Sequence, residues 1–211
     1  MNRIMNGYDM LRKFKHKIRH QYKKFKLITM LRSSPLRIVI GAGGVYQKGW
    51  IPTDIEQLNL LRLEDWRRYF KPDSIDAILA EHVYEHLTEN EAYQAAKNCF
   101  LFLKPTGYIR VAVPDGYHIS LDYIKAVEPG GSGSGSDDHE VLYNYRTLAH
   151  VFESAGFEVN WLEYFDEGGT FHIKDWHEDD GLINRSSKYG KRNSDGRLNY
   201  TSIIIDALKA K

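Results

Sequence analysis

A glycine cluster and a carboxylate form the pattern in this 211-residue sequence that best indicates ligand binding. A β-branched apolar run over residues 36–40 ends in four small residues: Gly41, Ala42, Gly43 and Gly44. Glycine lets backbone N–H groups approach a phosphate, ribose or carboxylate closely. Asp54 closes the next apolar segment, about 13 residues after Gly41, and its two oxygens suit the two hydroxyls of a ribose. The sequence therefore predicts a sheet that binds a nucleotide or nucleoside.

Histidines supply a second kind of reactive group at the ends of later apolar segments. Histidine titrates near neutral pH, so it can take a proton from a hydroxyl that attacks an electrophile. The segment 74–80 leads into Glu81 and His82, and a further apolar segment leads into Pro114 and Asp115. The candidate catalytic residues are His82, Asp115, His118 and His139.

Composition places these residues in a globular α/β domain that follows a basic arm. The single cysteine excludes an internal disulfide framework, and no apolar run reaches the roughly 18 residues that span a bilayer. We therefore expect a cytoplasmic protein. The net charge of +1 conceals an arm, residues 1–35, that is strongly basic and precedes the domain 36–211.

Apolar residues in the arm recur at three- and four-residue steps, which predicts an amphipathic helix with a basic polar face. Such a helix either attaches to an anionic surface, such as the inner face of a membrane or a polyanion, or packs on the domain with its lysines solvated. Nucleic acid is not the expected partner.

Apolar segments alternate with helical patterns along residues 36–208, which predicts a Rossmann-like, seven-stranded mixed sheet with one antiparallel edge strand, flanked by helices. The spacing from Gly41 to Asp54 leaves room for a short first crossover helix or none. Thr88 and Glu91 predict a capping box at the start of a helix over residues 88–103. The Gly/Ser run 130–136 has the composition of a flexible loop. Residues 178–198 form a long polar segment between two predicted strands, called the excursion below, and the sequence does not indicate its function.

Four motifs in this order and spacing resemble the class I S-adenosylmethionine-dependent methyltransferases. They are the glycine turn, the segment that ends at Asp54, the run from Ile75 to Leu87, and residues 103–115. Within that superfamily the chain is most similar to small methyltransferases associated with surface-polysaccharide genes. It departs from the family at Thr106, where glycine is usual, and in its shortened first crossover.

The resemblance implies a role for each candidate residue. The glycine turn would line the methionine part of the cofactor, Asp54 and Ile55 the ribose, Asp65 and Trp66 the adenine, and Glu81 and His82 the sulfonium. Asp54 or Asp65 could instead cap a helix. The implied reaction is O-methylation of a small-molecule or glycan-precursor hydroxyl. His118 or His139 is the favoured general base, because loops after the fifth strand usually reach the acceptor.

Other functions fit parts of the same sequence. His82, Glu85 and His86 match the H-x-x-E-H pattern of an inverted zinc peptidase, and His139 could join a metal site, although the resemblance counts against a metal. The glycine turn could serve an NAD-dependent oxidoreductase, although Tyr46 stands in place of the third glycine. The domain could also be a non-catalytic binding module. The sequence does not identify the methyl acceptor or the oligomeric state.

Overall fold

The computed structural model describes residues 34–211, and the basic helix predicted within the arm lies outside that range, where it remains a prediction. The strands of the described part are β1 (Arg37–Ile40), β2 (Ile51–Pro52), β3 (Ile75–Glu81), β4 (Leu103–Pro114), β5 (Glu158–Phe165), β6 (Phe171–Ile173) and β7 (Ser202–Leu208). Its α-helices are α1 (Leu63–Tyr69), α2 (Glu89–Phe102), α3 (Leu121–Val127) and α4 (Tyr145–Ser154).

Within residues 34–211 these strands form one seven-stranded mixed sheet in the order β2-β1-β3-β4-β7-β5-β6. Strands β1 to β4 are parallel, and β6 is an antiparallel edge strand, as predicted. Strand β7 is also antiparallel, but it lies inside the sheet between β4 and β5. The chain reverses direction across the sheet between β1 and β3, and open α/β sheets bind ligands at the carboxyl ends of strands at such a point.

Helix α2 begins where the sequence predicts, because both halves of the capping box form. The Thr88 hydroxyl accepts from the Glu91 N–H, and the Glu91 carboxylate accepts from the Thr88 N–H at 3.0 Å. Strand β4 begins at Leu103, directly after α2, and continues through Thr106. Thr106 has φ +68°, the left-handed conformation that explains why glycine is usual there.

One face of the sheet is covered by irregular chain instead of helices. No helix forms between Gly41 and Ile51 in the described chain, which agrees with the short spacing in the sequence. Helices α2 and α4 pack together, and α4 packs on β5 and β7. The apolar cluster on this face includes Val39 of β1 and Ala77 and Leu79 of β3. It is completed by Trp50, Trp176 and Ile183.

The excursion 178–198 is fixed to that face by Arg110, which is 2% exposed and pairs with both carboxylate oxygens of Asp206 at 2.7 and 2.8 Å. The same guanidinium donates to the carbonyl oxygens of His177 and Gly181. It lies over the Trp176 ring, 5.0 Å from the ring centroid. A buried ion pair with these further hydrogen bonds holds the start of the excursion on the sheet.

The Gly/Ser run 130–136, predicted to be a flexible loop, is folded against the end of α3. The backbone N–H groups of Ser132 and Gly133 donate to the carbonyl oxygens of Lys125 and Ala126. A Cβ at Gly133 would lie 2.4 Å from that Ala126 oxygen. The run therefore terminates α3, and its glycines permit the close approach of two backbones.

Among the described residues, no helix has both the length and the apolar character required to cross a membrane.

Candidate active site

A cleft of about 310 Å³ lies at the carboxyl ends of β1 and β3, where the chain reverses direction across the sheet. It is lined by the end of β1, the glycine turn, the end of β3 and part of the excursion. Its polar and turn residues are Gly41, Ala42, Gly43, Gln47, Glu81, His82, Asn184 and Arg185. Five of the residues predicted to contact a cofactor (Gly41, Ala42, Gly43, Glu81 and His82) therefore share one cavity.

The glycine turn is tight because Gly41 has both a positive φ and a close neighbour. Its φ is +63°, and a Cβ there would lie 2.6 Å from Cγ2 of Val83. The N–H of Ala42 donates to the Thr53 carbonyl oxygen at 3.0 Å, so the turn is bound to the segment after β2. Gly44 is exposed and stands beyond the residues that line the cleft.

Asp54 lies next to the cleft and is oriented by the turn. Its Oδ1 accepts a hydrogen bond from the Gly43 N–H at 2.9 Å, and its own N–H donates to Gln57 Oε1. The bond from Gly43 orients this carboxylate beside the glycine turn. Ile55 follows with 71% of its surface exposed, a large apolar side chain beside the carboxylate.

Glu81 binds the excursion across the mouth of the cleft. Its Oε1 accepts from the Arg185 N–H at 2.8 Å, and its Oε2 accepts from Asn184 Nδ2 at 3.1 Å. Asn184 and Arg185 line the cleft, yet sequence analysis did not select them, because no pattern connects residues more than 100 positions apart.

His82 occupies the bend that follows β3, with φ +54°. Its Nδ1 lies 2.8 Å from Glu85 Oε1, and its Nε2 lies 3.1 Å from the hydroxyl of Ser202. The Ser202 hydroxyl donates to the Arg185 carbonyl oxygen at 2.9 Å, so its oxygen can only accept at His82 Nε2. Each nitrogen of the His82 ring therefore faces an acceptor oxygen. Residues 84–86 form a single 3₁₀ turn, so His82 and His86 do not share the helix face that a zinc peptidase requires.

The structure contradicts the prediction that Asp65 and Trp66 contact adenine. Trp66 is fully buried, stacks on Phe102 at 5.3 Å and donates from Nε1 to the Leu60 carbonyl oxygen. Asp65 lies in the first turn of α1, where its Oδ2 accepts from the Asn59 N–H and its Oδ1 pairs with Arg68. Both residues stabilise α1 and its approach. Asp65 does not cap α1, since the N-cap residue is Arg62 and it has no side-chain cap bond.

Asp115 and His118 were also predicted to be catalytic, and in the structure backbone groups occupy both side chains. The Asp115 carboxylate is buried and accepts from the N–H groups of Phe165 and Tyr117 at 2.7 and 2.9 Å. His118 Nδ1 accepts from the Ser120 N–H, and its Nε2 faces the Leu198 carbonyl oxygen at 3.0 Å. The carbonyl oxygen can only accept, so both ring nitrogens are engaged by the backbone, and burial lowers the pKa of His118.

His139 lies outside the residues that line the cleft. Its ring packs edge-on against His86, with centroids 4.8 Å apart, and its Nδ1 is 2.7 Å from the Val127 carbonyl oxygen. This position removes it from direct contact with a ligand in the cleft.

A second, basic pocket of about 280 Å³ shares Asn184 and Arg185 with the cleft. The excursion supplies most of its lining, including Lys191 and Arg192, and the Arg192 guanidinium lies 4.2 Å from the Tyr200 ring centroid. Tyr200 in turn lies 6.3 Å from the His82 ring. The pocket therefore adjoins the cleft on the His82 side.

Comparison with solved structures identifies the fold. A SAM-dependent methyltransferase from Thermotoga maritima, described as a possible histamine N-methyltransferase, matches with a TM-score of 0.50 at 14% identity, over 95% of this chain and 96% of that one. A SAM-dependent methyltransferase from Archaeoglobus fulgidus gives 0.47 at 15% identity over 98% and 100%. One from Mesorhizobium loti gives 0.48 at 8% identity over 88% and 97%.

The first of these likenesses and the strand order establish that the described chain has the Rossmann-like fold of SAM-dependent methyltransferases. No protein-family model matches the chain, and no curated protein matches it.

The structural role of Asp115 predicts a distinctive pH dependence. Burial raises the pKa of Asp115 to about 6, above its ordinary value of 3.8 in the unfolded chain. Its protonated form therefore favours the folded state, a contribution present below pH 4 and lost as pH rises through 6. We compare the free energies of unfolding of wild type and Asp115→Asn by urea denaturation. When pH is lowered from 7 to 4, the wild-type value should increase by about 2 kcal/mol more than the Asp115→Asn value. If the free energy of unfolding changes equally with pH in the two proteins, this assignment is wrong.

Proposed function

We propose that this protein is an S-adenosylmethionine-dependent methyltransferase that transfers a methyl group to a hydroxyl of a small-molecule or glycan-precursor acceptor. The observation that carries the proposal is the juxtaposition of the glycine turn, Asp54 and His82 at the point where the sheet reverses direction. Methyl transfer from a sulfonium needs mainly the orientation of two reactants, and a cleft beside a second pocket supplies it.

The cofactor fits the cleft through its nucleoside and its amino-acid part. Gly41, Ala42 and Gly43 would contact the methionine moiety, Asp54 would accept hydrogen bonds from the ribose hydroxyls, and Ile55 would pack on the adenine. The sulfonium is the group that makes the methyl carbon electrophilic. Glu81 would lie near it and would hold the excursion over the bound cofactor.

The turn favours this cofactor over a dinucleotide. The N–H groups of Ala42 and Gly43 donate to Thr53 and Asp54, so they are not directed at a diphosphate. No helix begins at the turn in the described chain, and a diphosphate is usually bound by such a helix N-terminus. Titration with S-adenosylmethionine, S-adenosylhomocysteine and NAD separates the alternatives. Binding of NAD alone would indicate an oxidoreductase, and binding of none of the three would indicate a non-catalytic binding module.

Exchange of Asp54 for alanine should cost most of the cofactor affinity. Two hydrogen bonds to a charged acceptor contribute about 3 kcal/mol, so Asp54→Ala should weaken S-adenosylhomocysteine binding about 100-fold by calorimetry. Asp65→Ala is the matched control, since that carboxylate accepts from the Asn59 N–H and does not line the cleft, and its affinity should stay within about threefold of wild type. Equal losses in the two variants would refute the placement of the ribose.

The basic pocket supports an acceptor that carries an anionic group. Arg185, Lys191 and Arg192 bring three positive charges to its lining, and the pocket reaches the His82 side of the cleft. A phosphate or carboxylate in this pocket would place a nearby hydroxyl at the transferred methyl group. Nucleotide sugars and sugar phosphates are acceptors of this kind.

A screen of acceptors tests that proposal. With labelled S-adenosylmethionine, sugar phosphates and nucleotide sugars should be methylated in preference to the corresponding neutral sugars. Arg192→Gln should raise KM for the anionic acceptors about tenfold through loss of a charge-assisted hydrogen bond, while S-adenosylhomocysteine affinity is retained. Lys174→Gln, which changes an exposed lysine outside the pocket, should leave KM unaltered. Equal methylation of neutral sugars would exclude the anionic subsite.

His82 is the proposed general base. Its Nδ1 lies 2.8 Å from Glu85 Oε1, and its Nε2 faces the Ser202 oxygen. An acceptor hydroxyl that replaces Ser202 there would give its proton to Nε2 after that nitrogen has lost its own proton. His82→Asn is the suitable variant, because asparagine tolerates the left-handed backbone found there.

This variant should lower kcat by about 10²–10⁴ while binding S-adenosylhomocysteine with nearly wild-type affinity. His150→Ala, an exposed histidine on α4, should keep the wild-type kcat. An unchanged kcat in His82→Asn would show that another group, or bulk water, takes the proton.

A further inference from the structure

Glu85 is a buried carboxylate whose charge is poorly compensated. Its side chain is 0% exposed, and neither oxygen makes a well-oriented hydrogen bond with any residue of the described chain. Oε1 lies 2.8 Å from His82 Nδ1, but that contact leaves Oε2 with no partner among residues 34–211. A buried carboxylate in this condition is unfavourable unless a further positive charge or donor reaches it.

Two imidazole rings converge on this carboxylate. His86 is adjacent in sequence, and His139 comes from the segment that follows the Gly/Ser run. One ligand atom from each of Glu85, His86 and His139 lies within 4.8 Å of the other two. Two histidines and one carboxylate at this separation match the ligand types of a divalent transition metal.

The backbone brings these residues together before any ligand binds. The N–H groups of Glu140 and Val141 both donate to the Glu85 carbonyl oxygen, at 2.8 and 3.2 Å. These bonds fix the segment that carries His139 beside the turn that carries His86.

The His139 ring is also oriented by a second group. His139 Nδ1 lies 2.7 Å from the Val127 carbonyl oxygen, which can only accept, so Nδ1 carries the proton and Nε2 keeps its lone pair. His86 Nδ1 lies 2.8 Å from Asp138 Oδ1, although within residues 34–211 it makes no well-oriented hydrogen bond. Metal-binding histidines commonly present one ring nitrogen to a backbone carbonyl or a carboxylate in this manner.

We propose that Glu85, His86 and His139 bind a divalent transition metal ion of the Zn²⁺ class, at a site beside the cleft and separate from the cofactor-binding residues. A tetrahedral ion with bonds of about 2.1 Å holds its ligand atoms about 3.4 Å apart, so binding draws the side chains together by about 1.4 Å at most. The ion would neutralise the buried charge of Glu85 and join the turn after β3 to the segment after α3.

This site differs from the zinc pattern visible in the sequence. That pattern pairs His82 with His86 on one helix, whereas the structure turns His82 towards Ser202 and Glu85 and replaces it with His139. The proposal is independent of methyl transfer, since it concerns binding of the ion alone.

Calorimetric titration of the chelator-treated full chain with Zn²⁺, and with Co²⁺ as a spectroscopic probe, tests the site without any cofactor present. We expect one equivalent bound with micromolar or tighter affinity, a visible Co²⁺ absorption band and a raised Tm, because the ion binds the folded state. His139→Gln and Glu85→Gln should each weaken binding at least about tenfold.

Controls exclude other histidines as the source of binding. His150→Gln, and the double variant His16→Gln with His20→Gln, should bind with wild-type affinity. If Glu85→Gln does not fold, the half-buried His139→Gln, checked by circular dichroism, decides the question. Absence of stoichiometric binding by wild type, or unchanged affinity in a folded His139→Gln protein, would overturn the proposal.

Discussion

The short connection between Gly41 and Ile51 is the constraint from which much of this structure follows. It leaves no room for the helix that normally covers a parallel sheet at this position, so the apolar residues of β1 and β3 need another cover. Trp50, Trp176 and Ile183 supply it, and buried Arg110 fixes the polar excursion on the same face. Because the excursion crosses the sheet there, it delivers Asn184 and Arg185 to the cleft.

The buried polar residues near the cleft divide by whether their hydrogen bonds are satisfied. Asp115 and His118 are occupied by backbone donors and acceptors, which makes them parts of the scaffold. Glu85 is buried to the same degree, but within residues 34–211 neither of its oxygens makes a well-oriented hydrogen bond. An unsatisfied buried group in a folded protein calls for a specific explanation, and this contrast is the physical basis for separating structural from functional residues here.

Local patterns predicted the parts of the fold that local forces form. The β-branched runs became β1 and β3, the Thr88–Glu91 pair became a capping box, and the spacing to Asp54 correctly indicated that the first crossover helix is missing. The error at Trp66 arose because an aromatic side chain beside an acid fits both an adenine site and a core, and only its packing on Phe102 distinguishes them. The Gly/Ser run misled through composition, since its glycines serve close backbone contacts instead of flexibility.

The sequence alone determined the class of sheet, the glycine turn and the carboxylate beside it, because each depends on residues near one another along the chain and on backbone preferences that act locally. Only the tertiary structure decided which histidine lines the cleft, which acids are engaged by backbone N–H groups, and that residues 184–192 lie beside His82. These are contacts between segments that are distant in the sequence. They depend on how one face of the sheet is covered and on which partner each buried polar group contacts, so local sequence patterns do not predict them.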